Sequence, residues 1–157
     1  MLQNQDFTYY KKYLKYKNKY LEAKKQKQQQ KQMTGGQLQI EDELNEIMGN
    51  MKINSDKFES FVKTSNENIL VIVYAHWCYH CVNMVKHIGE HLKSDVNNTR
   101  IKYLDGTTLT DKLKKKLEIR GFPTIIKIKN STGIDNLNKI EYGGAREVAQ
   151  MIEFLNQ

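Results

Sequence analysis

The sequence predicts an α/β fold in which helices flank a central sheet and a basic helical arm precedes the compact domain. A β-branched apolar segment at 69–75 leads directly into an apolar pattern of helical spacing. Strand-like and helix-like segments then alternate along the chain. The alternation predicts a sheet with helices packed on its faces. All of the net charge of +7 lies in residues 1–32, which marks them as a separate segment.

The basic arm, with its linker, comprises residues 1–36. Residues 1–32 contain nine lysines against Asp6 and Glu22, whereas the rest of the chain has 16 basic and 16 acidic residues. Tyrosines at 9, 13, 16 and 20 recur at helical spacing and predict a helix over 7–32, before a Gly-rich linker. The composition of the arm is compatible with binding to nucleic acid, binding to an anionic surface, or pairing of two chains. It is equally compatible with a solvated tail that has no partner. Composition leaves these interpretations open.

The predicted compact domain covers 51–157, and a short amphipathic connecting helix covers 37–50. That helix has Ile40, Leu44 and Ile47 on one side. The first half of the domain is predicted to begin with a weak strand around Ile53, followed by a helix that Ser55 caps and that buries Phe58, Phe61 and Val62. A strand at 69–75 comes next, and then a helix whose apolar side consists of Cys81, Val85, Ile88 and Leu92. The second half is predicted to contain a strand with Ile101 and Tyr103, followed by a helix with Leu109, Leu113 and Leu117. A hairpin then joins strands at 125–128 and 140–142 through the turn Ser131-Thr132-Gly133. The last element is a helix whose Val148, Ile152 and Leu155 side chains face inward.

The sequence has no apolar segment near its start that could form the core of a signal peptide. Its longest apolar run, Ile69–Ala75, is too short to cross a bilayer. A cytoplasmic location without a transmembrane segment is therefore expected. In a reducing compartment a pair of cysteines is more often catalytic or metal-binding than a structural disulfide.

The two cysteines of the chain, Cys78 and Cys81, lie where the apolar strand gives way to a helix. Residues three apart on a helix are neighbours, close enough for a disulfide to form with modest adjustment. Cys78 is placed at the helix N-terminus, where unpaired amides and the helix dipole favour a thiolate. Cys81 falls on the apolar stripe with Val85 and Ile88. One accessible and one sheltered thiol is the arrangement that disulfide exchange requires.

Residues 51–157 resemble the thioredoxin family, and within it the protein disulfide isomerase branch. The resemblance rests on Ile69-Leu-Val-Ile-Val-Tyr-Ala-His-Trp-Cys-Tyr-His-Cys81, Ile119-Arg-Gly-Phe-Pro-Thr124 and Tyr142-Gly-Gly-Ala-Arg146. It implies a thioredoxin fold with a central mixed sheet flanked by helices. The run Tyr13–Leu21 of the arm is also similar to N-terminal extensions of giant DNA virus proteins, which implies a virion or host cytoplasm as the location.

The family resemblance implies a role for each matching residue of the site. Cys78 matches the nucleophile and Cys81 the resolving cysteine, so a redox-active Cys78–Cys81 disulfide is expected. Trp77 matches a residue that shields the pair, and Pro123 matches the cis-proline that faces the disulfide. His80 resembles the isomerase histidine that stabilises the thiolate, which makes the disulfide a better oxidant.

Two residues depart from the family pattern. Tyr79 stands where the family commonly has glycine or proline, so access to Cys78 is expected to be altered. Ile72, six residues before the first cysteine, stands where the family commonly has a buried carboxylate that helps to move a proton during resolution. The hypothesis is therefore a competent but slow redox site.

Two other interpretations of the cysteines compete with disulfide exchange. In one, they are buried thiols without a function. In the other, Cys78, Cys81, His87 and His91 bind zinc. At about 100° and 1.5 Å per residue, His87 points to the opposite helix face and His91 lies about 20 Å from Cys78, so one helix cannot bring all four to a single ion.

The sequence therefore predicts a thiol–disulfide oxidoreductase with a part in cellular redox homeostasis. It acts on proteins that carry thiols or disulfides, needs no metal or organic cofactor, and depends on an unidentified reductant or oxidant. The alternative is a non-catalytic client-binding module with the same fold, tethered to nucleic acid or an anionic surface by its arm.

Overall fold

The computed structural model describes residues 17, 19–22, 36, 38–129 and 133–157. The chain divides into two compact units, residues 1–39 and residues 40–157. In the first unit the structure describes residues 17, 19–22, 36 and 38–39, all of them helical. The remainder of the predicted arm helix lies outside the described residues. The boundaries predicted at 36 and 50 stay predictions.

A five-stranded mixed sheet forms the centre of the second unit. Its strands are β1 Lys52–Ile53, β2 Ile69–Tyr74, β3 Ile101–Asp105, β4 Thr124–Lys129 and β5 Asn138–Glu141, in the spatial order β1-β3-β2-β4-β5. Strands β1, β3 and β2 are parallel, whereas β4 pairs antiparallel with β2 and with β5. All six residues of β2 are buried, as the apolar segment predicted. The predicted thioredoxin fold is confirmed.

Helices cover both faces of the sheet. Residues 38–48 form α1, followed by a 3₁₀ turn, and the others are α2 Ser55–Thr64, α3 Tyr79–Ser94, α4 Asp111–Leu117 and α5 Val148–Asn156. Side chains of residues 44–48, α3 and α5 pack with Leu70, Ile72 and Tyr103 on one face. Side chains of α2 and α4 pack with Val71 and Val73 on the other. Because successive side chains of β2 point to opposite faces of the sheet, they contribute to two separate hydrophobic cores.

Residues 40–48 of α1 pack against α3. Leu44 and Met48 are buried, and Ile40 and Ile47 are partly buried, which confirms the predicted apolar side. The close approach depends on Gly89 of α3, because a Cβ there would lie 2.4 Å from Cγ2 of Ile47. The connecting helix therefore contributes to the same hydrophobic core as the Leu70 and Ile72 side chains of β2.

Several predicted details differ from the structure. The N-cap of α2 is Asn54, not Ser55: its side chain accepts a hydrogen bond from the Lys57 amide at 2.9 Å, as capping requires. Leu109 precedes α4, whose N-cap is Thr110. In α5 the fully buried residues are Met151 and Leu155, while Val148 and Ile152 are only partly buried.

Strand β4 ends at Lys129 and β5 begins at Asn138, so the connection is shorter than the predicted one, and it contains a 3₁₀ turn at Ile134–Asn136. Residues 130–132 of that connection, including the predicted turn residues Ser131 and Thr132, lie outside the described part of the chain. Among the residues that the structure describes, no helix has both the length and the apolar character needed to cross a bilayer.

Candidate active site

The junction between β2 and α3 holds both cysteines. Strand β2 ends at Tyr74, and Cys78 is the N-cap of α3, with extended backbone angles. Its amide donates to the Ala75 carbonyl at 3.0 Å, and its carbonyl accepts from the amides of Cys81 and Val82 at 2.9 and 3.0 Å. The turn thus presents the Cys78 thiol, which is partly exposed, at the positive end of a 16-residue helix.

The second thiol lies inside the core. Cys81 has no exposed surface, and it packs with Val85 and Ile88 on the inner side of α3. The two cysteines approach to 3.2 Å without forming a disulfide. The structure therefore has one accessible and one sheltered thiol side by side.

Burial is the main reason that the pKa of the Cys81 thiol is raised to about 12. The adjacent Cys78 raises it further through a hydrogen bond and its charge. A hydrogen bond with the Ala75 backbone and the positive charge of Arg146 act in the opposite direction and lower the pKa. Cys81 is consequently held as a neutral thiol at physiological pH.

A loop that precedes β4 faces the junction. The Phe122–Pro123 peptide bond is cis, as the resemblance implied for Pro123. The Cys78 thiol donates to the Phe122 carbonyl with a sulfur–oxygen distance of 3.6 Å. Trp77 packs edge-on against the Phe122 ring at 5.8 Å between centroids, and 59% of the Trp77 side chain remains exposed.

The two residues between the cysteines lie on the surface. Tyr79 is 72% exposed, and its ring meets that of His80 edge-on at 5.9 Å. Both are in the first turn of α3. Exposed aromatic side chains thus precede and follow Cys78 in the sequence.

Ile72 lies in the hydrophobic core, at the position where the family commonly has a buried carboxylate. Ile72 is completely buried in the same core cluster as Cys81, and its partner across the parallel β2–β3 pair is Tyr103. The Tyr103 hydroxyl is buried without a hydrogen-bond partner among the described residues, and burial raises the pKa of this phenol. Neither side chain supplies a carboxylate that could accept the Cys81 proton.

Two contributors to the site were missed from the sequence. The Phe122 carbonyl contacts Cys78 across 44 residues of chain, and backbone groups carry no sequence signal. The second contributor is Arg146. It is exposed but precedes α5, and its charge acts on Cys81. No local pattern indicates this proximity, which arises from tertiary packing.

The residues of the zinc interpretation do not meet. His87 and His91 are exposed, while Cys81 is buried on the inner side of the same helix. Within residues 38–129 and 133–157, no group of three or more His, Cys, Asp or Glu side chains is placed to hold a metal ion.

Comparison with known proteins places this geometry in a family. The family model for thioredoxin matches residues 49–157. The chain belongs to the thioredoxin family. The resemblance predicted for 51–157 is confirmed, whereas the likeness of the arm to viral extensions stays a prediction.

Protein disulfide isomerases are among the relatives of this thioredoxin-family chain. Protein disulfide-isomerase A3 of Gallus gallus is 33% identical over 106 residues, which covers 66% of this chain and 20% of the relative. Protein disulfide-isomerase 1 of Caenorhabditis elegans is 29% identical over 108 residues, covering 67% and 21%. The chain thus spans about a fifth of the length of these relatives.

A solved structure has the same fold. The first thioredoxin domain of mouse protein disulfide-isomerase A4 matches with a TM-score of 0.52 at 24% identity, covering 67% of this chain and 71% of that one. The thioredoxin family model and the two disulfide isomerases support, in general terms, an assignment of the chain as a thiol–disulfide oxidoreductase.

Proposed function

We propose that this chain is a protein thiol–disulfide oxidoreductase of the isomerase-like type, in which Cys78 attacks and Cys81 resolves. The observation that carries the proposal is the pair of thiols 3.2 Å apart, one partly exposed at the N-terminus of α3 and one fully buried. This asymmetry assigns the two chemical steps to different sulfurs. Trp77, Tyr79, His80 and Pro123 are proposed to support the pair.

In the reducing direction the Cys78 thiolate attacks one sulfur of a substrate disulfide. A Cys78–substrate disulfide forms, and the first substrate thiolate leaves. Cys81 then loses its proton and attacks the Cys78 sulfur, which releases the second substrate thiol and leaves a Cys78–Cys81 disulfide. Two electrons have passed from the pair to the substrate, and an external dithiol must restore them. The oxidising direction is the reverse sequence.

The loop before β4 is proposed to orient the substrate. The Phe122 carbonyl already accepts a hydrogen bond from Cys78, which fixes the thiol over the cis peptide. The Trp77 ring packs edge-on against the Phe122 ring of the same loop. His80 is proposed to stabilise the Cys78 thiolate, since it lies in the same first turn of α3. A stabilised thiolate would make the disulfide form a stronger oxidant.

Reduction of insulin by an excess of dithiol tests the activity. The wild-type protein is expected to accelerate precipitation of the insulin B chain, and Cys78→Ser to abolish the acceleration. Cys81→Ala is expected to accumulate a covalent complex with substrate through Cys78, which mass spectrometry would detect. The double variant Cys78→Ser/Cys81→Ala is the matched control, because it has no thiol.

Absence of both turnover and a covalent complex, in variants whose circular dichroism shows a folded protein, would refute the proposal. The alternative of a non-catalytic client-binding module would then gain support if the double variant still bound unfolded polypeptides.

A further inference from the structure

Gly106 contacts the aromatic ring of the loop that faces Cys78. It directly follows β3 and is buried, and its amide donates to the carbonyl of Tyr74, the last residue of β2, at 2.8 Å. A Cβ added at Gly106 would lie 2.6 Å from Cζ of the Phe122 ring and closer still to its Cε1 atom. The ring therefore rests against the Gly106 backbone, which is possible because glycine has no Cβ.

Other contacts confine the Phe122 ring. Trp77 meets it edge-on, with 5.8 Å between the ring centroids. The Phe122 side chain also packs against both hydrophobic clusters, the one that contains Ile72 and the one that contains Val73. Closely packed side chains transmit a displacement to their neighbours rather than absorbing it. A methyl group at Gly106 would consequently push the ring against a surrounding that is already filled.

The backbone of the same phenylalanine contacts the nucleophile. The Cys78 thiol donates to the Phe122 carbonyl with a sulfur–oxygen distance of 3.6 Å. Ring and carbonyl belong to one residue, so a ring that is pushed from its place must leave its present rotamer or move the backbone of the loop. The position of the loop opposite Cys78 thus depends on the space that is left free at Gly106.

We propose that Gly106 is a positioning residue: by admitting the Phe122 ring, it sets the place of the loop that holds a client polypeptide beside Cys78. The inference rests on the proposed function, in which this loop orients the substrate. Gly106 acts through Phe122 and takes no part in the thiol chemistry itself. A misplacement of about 1 Å can cost about 100-fold in rate, so a smaller shift of the loop is expected to cost about tenfold.

Two disulfides that release the same coloured aromatic thiolate separate positioning from thiol reactivity. One is the symmetric aromatic disulfide, and the other joins the same aromatic thiol to the cysteine of a short peptide. The measured quantity is the ratio of the second-order rate constants for attack by Cys78, with the peptide disulfide over the symmetric one. A change in the ionisation of Cys78 alters both rates alike and cancels in this ratio. Contacts between the peptide chain and the loop do not cancel.

Gly106→Ala is expected to lower the ratio by about tenfold. Gly143→Ala is the matched control, because its added carbon has no atom within 4 Å, and it should leave the ratio unchanged. In a Phe122→Leu background, Gly106→Ala should change the ratio by less than about twofold, since leucine lacks the Cζ and Cε1 atoms that the methyl group would strike. Fluorescence of Trp77, the only tryptophan of the chain, should shift in Gly106→Ala but not in Gly143→Ala, because the ring that it contacts moves.

An unchanged ratio in a folded Gly106→Ala protein would overturn the proposal. An equal effect of Gly106→Ala in the wild-type and Phe122→Leu backgrounds would also overturn it. If circular dichroism shows that Gly106→Ala alone does not fold, the double variant with Phe122→Leu should recover the fold, and a double variant that stays unfolded would contradict the proposed contact. These results leave the proposed function intact, because only a wild-type protein that fails to reduce insulin would refute that function.

Discussion

Raising the pH from 7 to 9 is expected to shorten the lifetime of a mixed disulfide on Cys78 by about 100-fold. The resolving nucleophile is the Cys81 thiolate, and burial raises the pKa of this thiol to about 12. Burial, the largest cause of the raised pKa, persists in the mixed disulfide, so Cys81 stays mostly protonated between pH 7 and 9 and each pH unit multiplies its ionised fraction by about ten. The rate of resolution follows the thiolate fraction.

An aromatic disulfide that releases a coloured thiolate allows both steps to be followed. One equivalent is mixed with the reduced protein in a stopped-flow instrument. The first release of colour reports attack by Cys78, and the second reports displacement by Cys81. The Cys81→Ala variant should give the first release alone, which assigns the two phases.

The expected slope is a tenfold increase in the second rate for each pH unit between 7 and 9. A second rate that rises by less than about threefold over this interval would refute the reasoning. It would mean either that Cys81 ionises near the usual range of a thiol or that another group removes its proton.

Three further outcomes are expected. Arg146→Gln removes a charge that lowers the pKa of the buried thiol, so the resolving step should slow by about two- to fivefold, whereas Arg146→Lys should retain most of the rate. Ile72→Glu should speed the resolving step at pH 7, because its carboxylate can accept the proton, and should lower the free energy of unfolding by roughly 3–5 kcal/mol because the carboxylate is buried. Gly89→Ala should cost about 1–3 kcal/mol of folding free energy by urea titration, because its Cβ would collide with Ile47; Gly143→Ala, with no atom within 4 Å of the added carbon, is the control.

Each of these outcomes has a contrary result. A resolving rate unchanged by Arg146→Gln would show that its charge does not reach the second thiol in solution. A stable Ile72→Glu protein with an unchanged rate would separate the buried carboxylate from proton transfer at this site. Equal unfolding energies for the two glycine variants would mean that the contact between α1 and α3 is looser than the structure indicates.

Much of the site could be predicted from local sequence. The buried strand at 69–74 and the helix after it follow from the residue types and their period, and this junction alone places Cys78 at a helix N-terminus and Cys81 in the core. The same periodicity identified the apolar side of α1. It could not say that this side packs against α3, because the glycine that permits the approach lies 42 residues from Ile47 in the chain.

The remaining features depend on tertiary structure. The contact of the Phe122 carbonyl with Cys78 and the influence of Arg146 on Cys81 join segments that are distant in sequence. The choice of Asn54 rather than Ser55 as the N-cap of α2 was also open, since both residues are good caps and only the backbone path decides between them.

Equilibration of the reduced protein with glutathione buffers of graded ratio tests the central claim most directly. After acid quench and alkylation, mass spectrometry counts free thiols and bound glutathione. The account predicts one two-electron transition in which a Cys78–Cys81 disulfide replaces both thiols, with little glutathione adduct at either residue. Independent glutathionylation of the two cysteines, or a pair that stays reduced across the whole series, would contradict it.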